Sequence, residues 1–388
     1  GIKPSRQTSI GGTSSVSVDR QNNLVKAISS QAGLFRFQQS LGEDRYQEQP
    51  APDGLETAAA YSKAVELGDG RIALLGSPDV RTLLYSEPGI EGTAQLVGLQ
   101  GIRGEMVTAT GYAGQLLATF NDGSVRLFEL PSGSQQVSPF QPSLRPGQQI
   151  QWSDPVVHAD PGRGFVVLRD RQQLFRVQIQ EQPRPHLAQM MQKQIPSPVY
   201  PQLAVLGDAV VAVRRSAGHD SLVAFSWDGL EELEPPQLLI GGREIRTTQG
   251  SEATEEGETI EVRVQSNWDL TGRVVWGPYT VDQRLVLLND RGTLVCFSEN
   301  LELAWKSTGK IQQLAGLPVL HEGDFIFVSL SGSIWRVNGE NGEMVGTDSI
   351  QKPVVGRPVV FADRLWLSGA DGTIHVVPIP SREGGGNS

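Results

Sequence analysis

Five aspartates stand where a predicted strand gives way to a tight turn. They are Asp122, Asp170, Asp220, Asp290 and Asp371. Carboxylates gathered in one place could bind a hard cation such as Ca²⁺, and one of them could act as a base. Each, however, precedes a glycine or a polar residue, and aspartate is favoured in such turns for its backbone chemistry. Turn formation accounts for all five, so we assign no catalytic residue and no metal ligand among them.

Four arginines are the other candidates for binding. Arg103, Arg169, Arg291 and Arg357 could line a rim or a channel and hold an anion, because the planar guanidinium group offers forked hydrogen bonds to carboxylate and phosphate. Hydrogen bonding at the surface or between repeats is the simpler interpretation of the same residues.

Signatures of other chemistry do not occur in the chain. Its five histidines form no closely spaced pair of the H-x-x-x-H type, which argues against zinc. There is no G-x-S-x-G elbow, no phosphate-binding loop and no dinucleotide glycine fingerprint. Cys296, the single cysteine, lies in an apolar stretch and is expected to be a small buried hydrophobe.

A repeated pattern between residues 274 and 380 indicates the elements that carry these residues. The turn glycines Gly292, Gly332 and Gly372 are 40 residues apart. In each copy a strand opens at a proline, an apolar strand follows, and after the turn a third strand returns. Residues 300–306 and 340–346 each predict a further turn and a short fourth strand. A fixed period near 40 built of strands indicates a β-propeller with four antiparallel strands per blade.

Seven copies of the pattern can be aligned along the chain. Their turns fall at positions 81, 123, 172, 220, 292, 332 and 372. The sequence therefore predicts an all-β fold, a propeller of seven blades, with eight as the alternative. We expect an N-terminal arm at 1–60, the propeller at 61–380 and a flexible tail at 381–388.

The N-terminal 60 residues lack the repeat. The polar run up to Gln21 is expected to be a loosely packed arm, and residues 44–57 a linker. Residues 24–28 and 33–37 are apolar enough for short strands. The last copy has no fourth strand of its own, so we predict that one of these two segments pairs outside residues 373–377 and closes the ring.

An insertion at 230–270 separates the fourth and fifth copies. Its centre, 249–261, carries five glutamates: Glu252, Glu255, Glu256, Glu258 and Glu261. A solvated loop is the simplest interpretation of such a charge block, and an acidic recruitment or cation site is the alternative. The flanking segments 237–240 and 259–264 predict either a hairpin that extends the fourth blade or a degenerate eighth blade.

Composition narrows the functional classes. The 388 residues carry a formal charge of −10, which disfavours nonspecific nucleic-acid binding. No stretch approaches the roughly 18 apolar residues of a membrane span. Because residue 1 is Gly and no signal segment is seen, we expect a portion of a longer product, with a preceding anchor or signal left open.

Two segments resemble the PQQ-like repeat. They are Leu294-Val-Cys-Phe-Ser-Glu-Asn-Leu-Glu-Leu-Ala-Trp-Lys306 and Ile334-Trp-Arg-Val-Asn-Gly-Glu-Asn-Gly-Glu-Met-Val345. The resemblance covers roughly residues 65 to 380. It implies the quinoprotein alcohol dehydrogenase-like superfamily, which also includes the propeller lipoprotein of the bacterial outer-membrane barrel-assembly machinery. It further implies a bacterial, periplasmic or cell-envelope setting.

The chain departs from the enzymes of that superfamily. Only Trp305 occupies the outer-strand tryptophan position, and a single cysteine cannot form the adjacent-cysteine disulfide that many of them carry. WD-repeat propellers are the competing family, but Trp227-Asp228 does not recur in register.

We therefore predict a non-catalytic scaffold that binds a protein or peptide, without a cofactor. The alternative is a PQQ-dependent dehydrogenase, which would use PQQ and calcium. A sensor or carbohydrate-binding propeller is the second alternative.

Overall fold

A computed structural model of the chain shows an all-β architecture. The residues that it describes are 6–9, 15–19, 24–28, 34–40, 43–49, 63–67, 71–75, 82–86, 94–144, 148, 150–235, 237–238, 265–266, 268–307 and 309–382. Within these ranges the single helical element is a short 3₁₀ turn, Pro161–Arg163, and no helix is long and apolar enough to cross a membrane.

Eight antiparallel sheets of three or four strands follow one another along the described chain. Sheet 1 comprises Ser15–Asp19, Leu24–Ile28, Leu34–Ser40 and Glu43–Gln49. Sheet 2 comprises Lys63–Glu66, Ile72–Leu75, Thr82–Ser86 and Ala94–Gly98. Sheet 3 comprises Met106–Tyr112, Gln115–Phe120 and Val125–Phe128. Sheet 4 comprises Val156–Val157, Phe165–Arg169, Gln173–Gln180 and His186–Gln194.

The C-terminal half continues in the same way. Sheet 5 comprises Ala204–Leu206, Ala209–Arg215 and Asp220–Ser226. Sheet 6 comprises Val274–Val281, Arg284–Asn289, Leu294–Phe297 and Leu303–Lys306. Sheet 7 comprises Val319–His321, Asp324–Val328, Ser333–Asn338 and Met344–Ser349. Sheet 8 comprises Val354–Phe361, Arg364–Gly369, Thr373–Pro378 and, from the N-terminal region, Arg6–Ser9.

Consecutive sheets pack face to face through apolar side chains. Successive residues of a strand point to opposite faces, so each sheet between two others can bury side chains on both sides. Six clusters join the successive pairs from sheets 2 and 3 to sheets 7 and 8. In one of them, Val286 and Leu288 of sheet 6 pack with Phe325 and Phe327 of sheet 7. Burial of these clusters is the main force that holds the sheets side by side.

The first and last sheets also contact one another. Val16 and Val25 of sheet 1 share a buried cluster with Val359, Phe361 and Trp366 of sheet 8. The N-terminal strand of sheet 8 runs antiparallel to its neighbour, with Arg6 opposite Val376 and Ser9 opposite Thr373. The two ends of the described chain are therefore held together by packing and by a backbone ladder.

The N-terminal region differs from the sequence expectation. Leu24–Ile28 and Leu34–Ser40 are strands, as predicted. The prediction that one of them pairs outside residues 373–377 is wrong, because both lie in sheet 1 and the partner strand is Arg6–Ser9. The polar run before Gln21 holds two strands, and Glu43–Gln49 is a strand inside the expected linker. Backbone hydrogen bonds hold these strands in their sheets. Because their sequences are mostly polar, no apolar pattern predicted them as strands.

Sheet 1 is the sheet that the seven aligned copies did not include. The short strands Gln237–Leu238 and Gln265–Ser266 pair with one another at the base of the insertion; the choice between a hairpin and a degenerate blade stays a prediction. Segment 259–264 and the glutamate block 249–261 lie outside the described residues.

Candidate functional site

A cavity of about 410 Å³ lies between the first strands of sheets 3 and 6 and the segments that lead into sheets 4 and 5. Four aromatic side chains contribute to its wall: Trp152, Tyr200, Trp276 and Tyr279. The polar side chains of the wall are those of Thr108, Ser153, Asp154 and Gln202.

The local sequence explains why aromatic rings recur at this place. Trp152, Tyr200 and Trp276 each stand one to three residues before a proline: Pro155, Pro201 and Pro278. The pattern therefore puts an aromatic ring at or near the beginning of the first strand of sheets 4, 5 and 6. It was present in the sequence as a signal, but only the packing of the sheets shows that the rings share one space.

A bulge in sheet 6 positions two of the rings. The register shifts between Trp276 and Tyr279, and their ring centroids lie 4.8 Å apart at 55°. Gly277, at φ +83°, allows this path, because an added Cβ would lie 2.8 Å from the carbonyl oxygen of Val286. Trp276 also packs against Phe327, with centroids 6.3 Å apart. Trp276 packs against the apolar cluster between sheets 6 and 7, lines the cavity and is half-buried.

Asp154 is the one carboxylate of the cavity wall. It is exposed and accepts a hydrogen bond from the hydroxyl group of Thr108. Burial raises the pKa of the Tyr279 phenol above its ordinary value, and nearby Tyr200 and the negative charge of Asp154 raise it further. Tyr279 is therefore a neutral hydrogen-bonding group at physiological pH, and the site combines aromatic faces with one negative charge.

The four candidate arginines are dispersed, and none of them lines the cavity. Arg103 precedes sheet 3, Arg291 lies in a turn of sheet 6 and Arg357 in the first strand of sheet 8, all exposed. Arg169, in sheet 4, stacks 5.3 Å from the ring centroid of Phe175 and donates to the carbonyl oxygen of Ser143 at 3.3 Å. Anion binding by these arginines stays a prediction.

Two of the candidate aspartates, Asp122 and Asp371, bond within their own turns. Asp170 and Asp290 instead bond to the segment that precedes the first strand of the same sheet. Four accept hydrogen bonds of 2.9–3.0 Å from main-chain N–H groups: Asp122, Asp170, Asp290 and Asp371. Asp220 differs, since it is fully buried, accepts from the main chain of Val274 at 2.8 Å and lies 3.2 Å from Arg215. It ties sheet 5 to sheet 6, a role that the sequence pattern did not indicate.

Two further groups have structural roles. The imidazole of His158 lies 3.0 Å from the Asp208 carboxylate, which also accepts from Arg163, so that sheets 4 and 5 are linked. Cys296 is fully buried, and burial raises the pKa of its thiol to about 12. The predicted burial of Cys296 is confirmed, and its thiol is unreactive at neutral pH. In the described parts of the chain no three or more His, Cys, Asp or Glu side chains are grouped as metal ligands.

The outermost strand of sheet 4, His186–Gln194, is a second feature with binding potential. Among the strands of the described sheets it is the longest, with nine residues. Its inner side pairs with Gln173–Gln180, while Met190 and Met191 are 38% and 37% exposed. A register shift in the pairing lies beside these two methionines.

Comparison with known proteins supports the fold. No protein-family model matches the chain, and neither does any curated protein. The computationally designed protein Ika8 is similar in structure, with a TM-score of 0.64 and 11% identity over 96% of this chain and 98% of that one. BamB from Moraxella catarrhalis has a TM-score of 0.57 and 12% identity, over 96% of this chain and 98% of that one. Sqt1 from Saccharomyces cerevisiae has a TM-score of 0.58 and 11% identity, over 97% of this chain and 98% of that one.

These likenesses, with the antiparallel sheets, make the chain a β-propeller. BamB is a propeller of the PQQ-like type and Sqt1 is a WD40 propeller. At identities of 11–12% they show the fold alone, so the PQQ-like resemblance remains an interpretation of the sequence.

Proposed function

We propose that this chain is a non-catalytic propeller that binds a protein or peptide, with its eight sheets as the blades of one ring that Arg6–Ser9 completes. The contacts between sheets 1 and 8 support the closed ring. The observation that carries the function is the exposed outer strand His186–Gln194.

An outer strand has a row of main-chain N–H and C=O groups on its free side. In the described part of the chain, the main-chain hydrogen bonds on that side of His186–Gln194 are confined to Ser138, at the beginning of the strand. Another polypeptide in extended conformation is the partner that can complete such a ladder. Met190 and Met191 add adaptable apolar surface for its side chains, so the chemistry of the strand favours a protein or peptide ligand.

The proposal includes no quinone cofactor. A PQQ–calcium centre needs several hard oxygen ligands around the metal, whereas Asp154 is the one carboxylate of this wall. A periplasmic or cell-envelope location is part of the proposal and rests on the sequence resemblance.

Site-specific crosslinking tests the proposal. A photo-crosslinking residue at Gln192, in the exposed strand, is compared with one at Thr347, exposed on the outer strand of sheet 7. The partner trapped from Gln192 in extract of the source cells is then purified and titrated against the unmodified chain and the double variant Met190→Ser, Met191→Ser. We expect about tenfold weaker binding by the double variant and unchanged binding by Thr347→Ser.

Equal affinity of the partner for the unmodified chain and the double variant would reject the strand as the docking site. A parallel titration with PQQ and Ca²⁺, followed by dye reduction with alcohols and sugars, addresses the alternative. Turnover in that assay would overturn the non-catalytic assignment.

A further inference from the structure

We propose that the cavity between sheets 3 and 6 binds an organic cation: a quaternary ammonium group or the side chain of an arginine or lysine. The proposal concerns a different place from the outer strand of sheet 4. It stands on the aromatic composition and charge of the cavity wall.

The wall favours a cation because of what it contains. Twelve residues form it; four are aromatic, one is a carboxylate, and none is a lysine, arginine or histidine. The face of an aromatic ring carries negative charge density and attracts a cation placed over it. A bound anion would meet Asp154 with no positive side chain in the wall to balance it. A bare metal ion would have only one carboxylate ligand in this wall.

Two rings of the wall are in contact. Trp276 and Tyr279 meet at 55°, with centroids 4.8 Å apart, so they are tilted to one another and are not stacked in parallel. Tyr200 already holds a cation on one face, since the guanidinium carbon of Arg215 lies 4.9 Å from its ring centroid. That contact shows that this ring can stack with an organic cation, and Tyr200 is part of the same wall.

Size and the surrounding surface agree with a small cationic group. A volume of about 410 Å³ is in the range of small-ligand sites. Val107 and Val275, also in the wall, are 44% and 50% exposed. Exposed valines beside a cage can contact methyl groups or the methylene stem of a long basic side chain. The carboxylate of Asp154 supplies the opposite charge.

The test uses two ligands of the same shape. Choline and its uncharged analogue 3,3-dimethylbutan-1-ol are titrated into the full chain, with tryptophan fluorescence and calorimetry as readouts. We expect saturable binding of choline and about tenfold weaker binding of the uncharged analogue. Peptides containing arginine, lysine or trimethyl-lysine, set against choline, distinguish a peptide side chain from a free cation as the source.

Variants locate the site. Trp276→Leu and Asp154→Asn should each weaken choline binding by about tenfold, whereas Tyr279→Phe, which keeps the ring, and Glu302→Gln, an exposed carboxylate outside the wall, should not. Thermal unfolding checks that each variant is folded. If Trp276→Leu does not fold, the choline affinity of Asp154→Asn decides whether this cavity is the binding site.

Three results would overturn the inference: equal binding of choline and the uncharged analogue, equal or tighter binding of neutral sugars, or no binding of any cation at about 10 mM. Choline binding that persists in Asp154→Asn and Trp276→Leu would likewise exclude this cavity.

Discussion

Asp324 and His375 are two buried titratable groups in neighbouring sheets, and their surroundings are opposite. Asp324 in sheet 7 is fully buried and accepts from Arg336 at 2.6 Å and from Arg382 at 2.6 and 2.8 Å. His375 in sheet 8 is 2% exposed, and neither ring nitrogen has a hydrogen-bond partner among the described residues. One sheet buries a charge with its partners, and the other buries an ionisable group that must stay neutral.

The pKa values of the two groups follow from this contrast. Burial by itself would raise the pKa of Asp324, but hydrogen bonds and charge from Arg382 and Arg336 outweigh it and hold the pKa below its ordinary value. Burial lowers the pKa of His375; Asp371 opposes this effect and Lys352 adds to it. A buried polar group is therefore tolerated either through compensation by partners or through loss of its charge.

The largest effect on stability is expected from removing the negative charge of Asp324, which Arg336 and Arg382 compensate. Asp324→Asn leaves Arg336, whose side chain is 7% exposed, without its buried counter-charge. The free energy of unfolding should fall by about 3 kcal/mol, measured by urea denaturation. Asp363→Asn, at an exposed turn of sheet 8, is the control and should change it by less than about 0.5 kcal/mol. A similar small loss for both variants would contradict the compensation argument.

The second-largest effect is expected for His375 and concerns how the stability of the chain depends on pH. Because the pKa of His375 is lower in the folded chain than in the unfolded chain, the unfolded chain binds more protons below about pH 6.5, and stability falls as pH falls. In His375→Leu the loss of stability between pH 7.5 and 5.5 should be smaller than in the unmodified chain. Superimposable pH profiles of the two proteins would show that His375 does not titrate in this way.

Arg382 should have a smaller effect than Asp324, since its side chain is 51% exposed and solvent screens its charge. Arg382→Ala should lower the free energy of unfolding by clearly less than Asp324→Asn does. Hydrogen exchange should show faster exchange at Ser381 and Arg382, because the C-terminal segment loses its ion pair to sheet 7. Unchanged exchange there would mean that other contacts hold the segment, such as that of Pro380 with Arg336.

The smallest expected effect concerns the pH dependence of stability in the variant Asp324→Asn. Asp324 has a lowered pKa, so its contribution is present above its ordinary pKa and is lost only as pH falls below that range. Asp324→Asn should therefore lower stability uniformly between pH 7.5 and 5.5, with the slope of the unmodified chain. A changed slope in this window would mean that Asp324 titrates near neutrality.

The repeat was readable from sequence because its turns demand particular residues. Gly292, Gly332 and Gly372 all adopt positive φ, between 79° and 85°, as turn glycines of hairpins should. Sheet 1 could be predicted only in part. Leu24–Ile28 and Leu34–Ser40 were predicted as strands, whereas Glu43–Gln49 is almost wholly polar and its pairing depends on main-chain groups that every residue has.

The cavity was beyond sequence reasoning for a different reason. Its wall draws on residues from Val107 to Tyr279, and only the packing of four sheets brings them together. The pairing of Arg6–Ser9 with Thr373–Pro378 likewise depends on the angle between successive sheets, which no local pattern encodes.

That same pairing has a consequence for how the protein is made. Arg6–Ser9 leaves the ribosome long before its partner strand Thr373–Pro378. At about 5–20 residues per second, roughly 20–70 s separate the two. Throughout that time the N-terminal strand has no ladder to join, and sheet 1 lacks its neighbour sheet 8. Pairing of Arg6–Ser9 in sheet 8 must therefore wait until residues 373–378 have been synthesised, and a nascent chain halted before residue 373 keeps an unpaired strand available to other chains or chaperones.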